Sequence, residues 1–216
     1  QSDGRPDLGS AQSMIDDLAQ AVVQNRSALM ALTALKEYDN YTFTHMVNVA
    51  ALSMAMARSL DLEGPLLREF GFAALMHDIG KVQTPLEILN KPGKLTDEEF
   101  TLMKRHVIDG AHILRRTPET PALAPVVAFE HHLKQDLSGY PENIGSRTLN
   151  LCTMVVSVVD VFDALRSNRA YREGLALAGR KREVECAAMG GPGLREVPGA
   201  RLQGPVDDRT VGQQPR

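Results

Sequence analysis

The chain has 216 residues, of which 43% are hydrophobic and 24% charged, enough for one sizeable core and ordinary for a globular protein. A formal charge of -3 gives no global pull toward DNA, RNA or an anionic membrane, so any phosphate recognition must be local. Cys152 and Cys186 lie too far apart for paired-thiol spacing, which argues against a disulfide framework or thiolate metal site and fits a reducing cytoplasm. No apolar run reaches the roughly 18 residues of a membrane span, and the start, which lacks Met, reads as a piece of a longer chain without a signal peptide.

Between Ser10 and Lys36 the apolar residues recur mostly at three- and four-residue spacing, which predicts one amphipathic helix or two. Thr42 or Thr44 is the candidate cap of the next helix, which should end near Asp61. Pro65 suits the first turn of a third helix over Leu66–Asp78, apolar nearly all round and so expected at the centre. Gly80 is the candidate left-handed residue closing that helix. Thr96 to Glu99 spell a capping box, predicting one helix over Asp97–Arg116. A fifth helix should run from Pro121 or Pro125 to His131–His132, and a sixth from Thr148 to about Ser167. The expected architecture is all-α: a helical segment over 1–38, a core domain over 39–173 and a Gly/Pro-rich tail over 174–216 that reads as disordered or non-native.

The chemistry concentrates on His77-Asp78, followed by Gly80 and Lys81. Read with His45, His106, His131, His132 and Asp160, the doublet gives seven imidazole and carboxylate groups that a helical bundle can point inward toward a metal centre. Nitrogen and oxygen donors without thiolates suit iron or manganese. Adjacent donors fit two ions about 3.5–4 Å apart better than one tight site, with Asp78 suited to bridging, and such a pair can acidify water and bind phosphodiester oxygens. Asp160 and Asp163 share a helix face, so one reads as a ligand and the other as its supporting acceptor or a proton donor. Lys81 is a cation placed for phosphate, while Arg169 and Arg172 form either a phosphate clamp or a solvated basic turn. His112 falls on another helix face and stays outside the site.

From Tyr41 to Arg172 the chain resembles the HD-GYP family of the HD phosphohydrolase superfamily. The resemblance rests on Tyr41-Thr42-x-x-His45, His77-Asp78-x-Gly80-Lys81, Lys91-Pro92-Gly93-x-Leu95-Thr96, His106-x-x-x-Gly110, His131-His132, Asp136-x-x-Gly139-Tyr140-Pro141, Asp160-x-x-Asp163 and Arg169-x-Tyr171-Arg172. It implies an all-helical hydrolase of cyclic dinucleotides, above all cyclic di-GMP, with two divalent ions held by His45, His77, Asp78, His106, His131, His132 and Asp160. It also implies substrate-phosphate contacts from Lys81, Arg169 and Arg172; catalytic roles are expected for Asp78, Lys81 and Asp163, and further substrate contacts from the loop at Gly139 and Tyr140. In the family that loop is linked to partners that include diguanylate cyclases. Tyr41 stands where members with a third ion carry Glu, and Leu133 and Leu137 stand where members usually have Glu and Gly. Another nucleotide substrate, or a binding module without turnover, are the alternative readings.

Overall fold

In the computed structural model, which describes residues 16–20, 26–142, 144–145 and 148–166, regular structure is helical and Leu133 and Gly139 form an isolated β-bridge. The all-α expectation holds. In chain order come α1 (Arg26–Tyr38), α2 (Asn40–Ser59), α3 (Gly64–Leu75), a 3-10 turn (Ile79–Gln83), α4 (Leu86–Leu89), α5 (Asp97–Lys104), α6 (His106–Arg116), α7 (Leu123–Glu130) and α8 (Leu151–Arg166). The tail over 174–216, with Arg169 and Arg172, lies outside the described residues.

Helix α3 is central, as its sequence requires. Leu67, Phe70, Gly71, Phe72, Ala73, Ala74 and Leu75 are all buried, and the helix packs against α2, α7 and α8. Small residues make the close approaches possible: a Cβ at Gly71 would overlap the Met54 thioether of α2. The apolar core continues through Met46, Val49 and Ala50 of α2 and Val155, Val156 and Val159 of α8.

Four local expectations are corrected. Asp39 caps α2, accepting from the backbone N–H of Tyr41 (3.2 Å) and Thr42 (3.1 Å), while the Thr42 hydroxyl donates to the same carboxylate. A carboxylate has two acceptor oxygens and a charge that favours the helix N-terminus, so it takes the cap ahead of either threonine. The capping box forms as expected, with Thr96 and Glu99 bonded reciprocally at 2.7 and 3.2 Å. The single helix expected after it is nevertheless two, joined at Arg105, whose N–H bonds the Leu102 carbonyl at 3.1 Å in a tightened turn.

The third helix ends at Leu75 rather than Asp78, so His77 and Asp78 sit in the turn between α3 and the 3-10 segment. Gly80 lies inside that segment and is not among the residues with positive φ. Its glycine is required by proximity instead: a Cβ there would overlap the His106 carbonyl oxygen and crowd the Gly110 nitrogen of α6. The backbone that carries the doublet is thereby pressed onto the first turn of α6. Because the obstacle is backbone, it cannot swing aside, and Gly80→Ala is expected to cost about 2 kcal/mol or more, at the upper end of overpacking effects. Denaturant unfolding measures this, and a change below about 0.5 kcal/mol would contradict it.

Candidate metal centre

Five parts of the fold aim donors at one point. His45 projects from the middle of α2, His77 and Asp78 from the turn after α3, His106 from the first position of α6, His131 and His132 from the end of α7, and Asp160 from α8. Three imidazoles are fixed by backbone carbonyls. Nδ1–H of His77 donates to Ala74 O (2.7 Å), that of His106 to Met103 O (2.7 Å), and that of His131 to Ala128 O (3.1 Å). A carbonyl can only accept, so each Nδ1 carries a proton, and a ring in its neutral form then turns its Nε2 lone pair the other way. The break at Arg105 is what allows the Met103 carbonyl to serve His106.

Those lone pairs face Asp78. Its Oδ1 lies 3.3 Å from His106 Nε2 and 3.7 Å from His131 Nε2, and its Oδ2 lies 3.4 Å from His77 Nε2. Asp78 Oδ1 and His77 Nε2 are buried without a hydrogen-bond partner among the described residues. Lone pairs facing a carboxylate in a dry interior repel unless a cation lies between them, so this donor set fits divalent ions. Burial alone would raise the Asp78 carboxyl, but the Lys81 charge beside it leads the influences that outweigh burial and hold the pKa well below the usual carboxylate range. Burial pushes the His106 imidazole down to about 3, which leaves it neutral and able to ligate.

The donors fall into three groups whose ligand atoms lie within 4.8 Å of one another: Asp78 with His106, His131 and His132; Asp78 with His45 and His77; and Asp160 with His77 and His131. Every one of the expected ligands belongs to at least one of them; Asp78, His77 and His131 each belong to two, and of these Asp78 alone has two oxygens with which to bridge.

His45 is held from both sides, by Asp163 Oδ2 at Nδ1 (2.7 Å) and Asp160 Oδ1 at Nε2 (2.9 Å). Burial would lower its pKa, but the two carboxylates raise it to about 9. Asp163 is fully buried behind His45 and belongs to none of the donor groups, so it acts through that ring. The Lys81 ammonium reaches Asp78 Oδ2 at 2.5 Å and keeps 17% of its side chain exposed, at the rim of the centre. His112 is exposed and apart.

Sequence reasoning missed two supports. The Ser157 hydroxyl donates to the His131 carbonyl at 2.5 Å, and its three-residue spacing from Asp160 on α8 was the available signal. The Tyr140 ring, expected at the substrate, also packs on His132 with centroids 4.5 Å apart. In the same loop, a Cβ at Gly139 would overlap the His132 carbonyl oxygen, so glycine lets the loop close on the candidate metal donors. Leu133 fills the Glu position with a buried apolar side chain, while Leu137 adopts φ 63°, a left-handed conformation suited to glycine.

Comparison with known proteins agrees with this geometry. The family model described as HD domain matches residues 12–179. A Pseudomonas aeruginosa protein named cyclic di-GMP phosphodiesterase is 43% identical over 168 residues, covering 78% of this chain and 41% of the relative. A Thermotoga maritima protein of the same name is 39% identical, covering 73% of this chain and 43% of its own length, so the chain spans less than half of these relatives. A Vibrio cholerae protein named 3′3′-cGAMP-specific phosphodiesterase 1 is 31% identical, covering 75% of this chain and 38% of the relative. Among solved structures, the Bdellovibrio bacteriovorus HDG"Y"P protein Bd1817 has the same fold with TM-score 0.57 at 22% identity, covering 81% of this chain and 58% of that one. This chain belongs to the HD-domain family. Within it, the motifs and the curated relatives place the chain in the HD-GYP branch.

Removing the carboxylate behind His45 tests the supporting layer: Asp163→Ala is expected to weaken metal binding about 10–100-fold, as losses of ligand-orienting groups do. Metal titration of the apoprotein checks this, and unchanged affinity would contradict it. Leu137→Gly is expected to raise unfolding free energy by about 0.5–1 kcal/mol, because relief of a left-handed penalty of about 1–2 kcal/mol exceeds the entropy that glycine adds to the unfolded chain. A loss of stability in the same denaturant assay would contradict that reading of the loop.

Proposed function

We propose that this chain is the catalytic domain of a metal-dependent phosphodiesterase that hydrolyses cyclic di-GMP to the linear dinucleotide pGpG and onward to GMP. The observation that carries the reading is the pair of donor groups sharing Asp78, with the Lys81 ammonium at their rim. Iron or manganese fits the all-imidazole and carboxylate donor set. When bound, such ions supply Lewis acidity toward phosphoryl oxygen and lower the pKa of water. His45, His77, Asp78, His106, His131, His132 and Asp160 would hold them.

The remaining work falls to the chain's own groups. Lys81 is positioned to offset charge that grows on the phosphoryl oxygens, and its bond to Asp78 fixes the carboxylate it leans on. Asp163 keeps the His45 ring oriented by accepting its Nδ1–H. Arg169 and Arg172 remain the proposed phosphate clamp. Hydrolysis adds the oxygen of water to phosphorus and breaks the bond to the 3′ oxygen, which leaves with a proton, giving a 5′-phosphorylated linear product.

The relatives named 3′3′-cGAMP-specific phosphodiesterases favour a second substrate, cyclic GMP-AMP, on the same centre. We assign the domain to the cytoplasm, which suits the free thiol of Cys152, and no helix among the described residues is long and apolar enough to cross a membrane. The loop edge at Ser138 and Gly139 is exposed and is the proposed contact for a diguanylate cyclase.

Chromatography of products after incubation with iron- or manganese-loaded protein separates the substrates. Cyclic di-GMP should be converted to pGpG, and Asp78→Ala should abolish conversion. Intact cyclic di-GMP alongside hydrolysed cyclic GMP-AMP would favour the second reading, and turnover unaffected by Asp78→Ala would refute the assigned centre.

A further inference from the structure

One ligand of the centre is oriented differently from the rest. His77, His106 and His131 are each aimed by a backbone carbonyl, and His45 by two carboxylates. Among the described residues no hydrogen bond fixes the His132 ring. Its χ2 torsion is broad and roughly two-fold by nature, so among the described residues packing is what chooses the plane. That packing is aromatic: the neighbouring donor rings of His131 and His106 lie 4.1 and 5.1 Å from His132, the Tyr140 ring lies 4.5 Å away at 34° as the one neighbour outside the donor set, and Phe100 meets Tyr140 edge-on at 6.2 Å and 85°. Phe100 comes from the first half of α5, six residues before His106, and the Lys104 ammonium covers it at 5.4 Å. Gly139 brings Tyr140 into reach, since any larger residue would strike the His132 carbonyl.

We propose that Phe100 and Tyr140 are positioning residues, an aromatic brace that sets the plane of His132 so that its nitrogen joins Asp78, His106 and His131 around one ion of the pair. The inference rests on the two-ion reading of the site and says which ion depends on which loop. The brace acts through ring shape, not through the phenol hydroxyl. It therefore serves the ion held by Asp78, His106, His131 and His132, whereas His45 and His77 hold theirs without it.

The test is equilibrium titration of the full chain with Co²⁺, read by visible absorption and by bound metal per chain. Wild type is expected to take up two ions. Phe100→Leu and Tyr140→Leu should bind one ion as wild type does and the other about 10–100-fold more weakly, with an altered absorption band, as when a ligand loses its orienting partner. Tyr140→Phe and Phe100→Tyr should restore wild-type affinity and spectrum. Helix α5 has no fully buried residue, so Phe100→Leu leaves the core intact, and far-UV circular dichroism verifies this. Leucine variants that bind both ions with wild-type affinity and spectrum would overturn the brace, as would equal weakening of both ions. Wild type that binds fewer than two ions would instead overturn the two-ion reading itself, and the inference with it.

Discussion

The structure depends on a concentration of electron pairs that the folded chain cannot neutralise by hydrogen bonding. Three imidazoles, locked by carbonyls behind them, turn unprotonated nitrogens toward the Asp78 carboxylate, and Asp78 Oδ1 and His77 Nε2 are buried without partners among the described residues. A buried polar atom left unmatched costs about 1–3 kcal/mol, and here several face one another. Positive charge in their midst removes the conflict. Lys81 supplies some at the edge, through Asp78 Oδ2, while Oδ1 and the inner nitrogens are left for metal.

The fold is arranged around keeping those atoms close. Gly80 and Gly110 allow the turn bearing His77 and Asp78 to touch the backbone of α6 where His106 begins. The interruption at Arg105 frees the Met103 carbonyl for the His106 ring, and Ser157 pins the carbonyl of His131 from α8. Around this the core is conventional, with α3 enclosed by α2, α7 and α8. Irregular backbone is thus found at the ligands, and regular helix supports it from behind.

What could be read from the residues divides along the same line. The Thr96–Glu99 box and the all-round apolar α3 were legible because their signals are local: one fixed spacing, or one helix face repeated. The convergent donors of the candidate centre were legible because imidazoles are few in this chain and, with their neighbouring carboxylates, fall in a family order. Gly80 was read as a helix stop because glycine in sequence does not distinguish positive φ from close approach, and only α6 packed against it decides between them. Asp39 was overlooked because the nearby threonines also cap helices. Phe100 carried no signal at all: its partner, Tyr140, lies forty residues further on and in a loop.

Membership of the HD-GYP branch and the geometry of the donors converge on one claim, that two cations share Asp78. Anomalous diffraction from crystals grown with Mn²⁺ addresses it most directly. The account predicts two peaks flanking the Asp78 carboxylate, one against His106, His131 and His132 and the other against His45 and His77. A single peak, or peaks remote from Asp78, would contradict it.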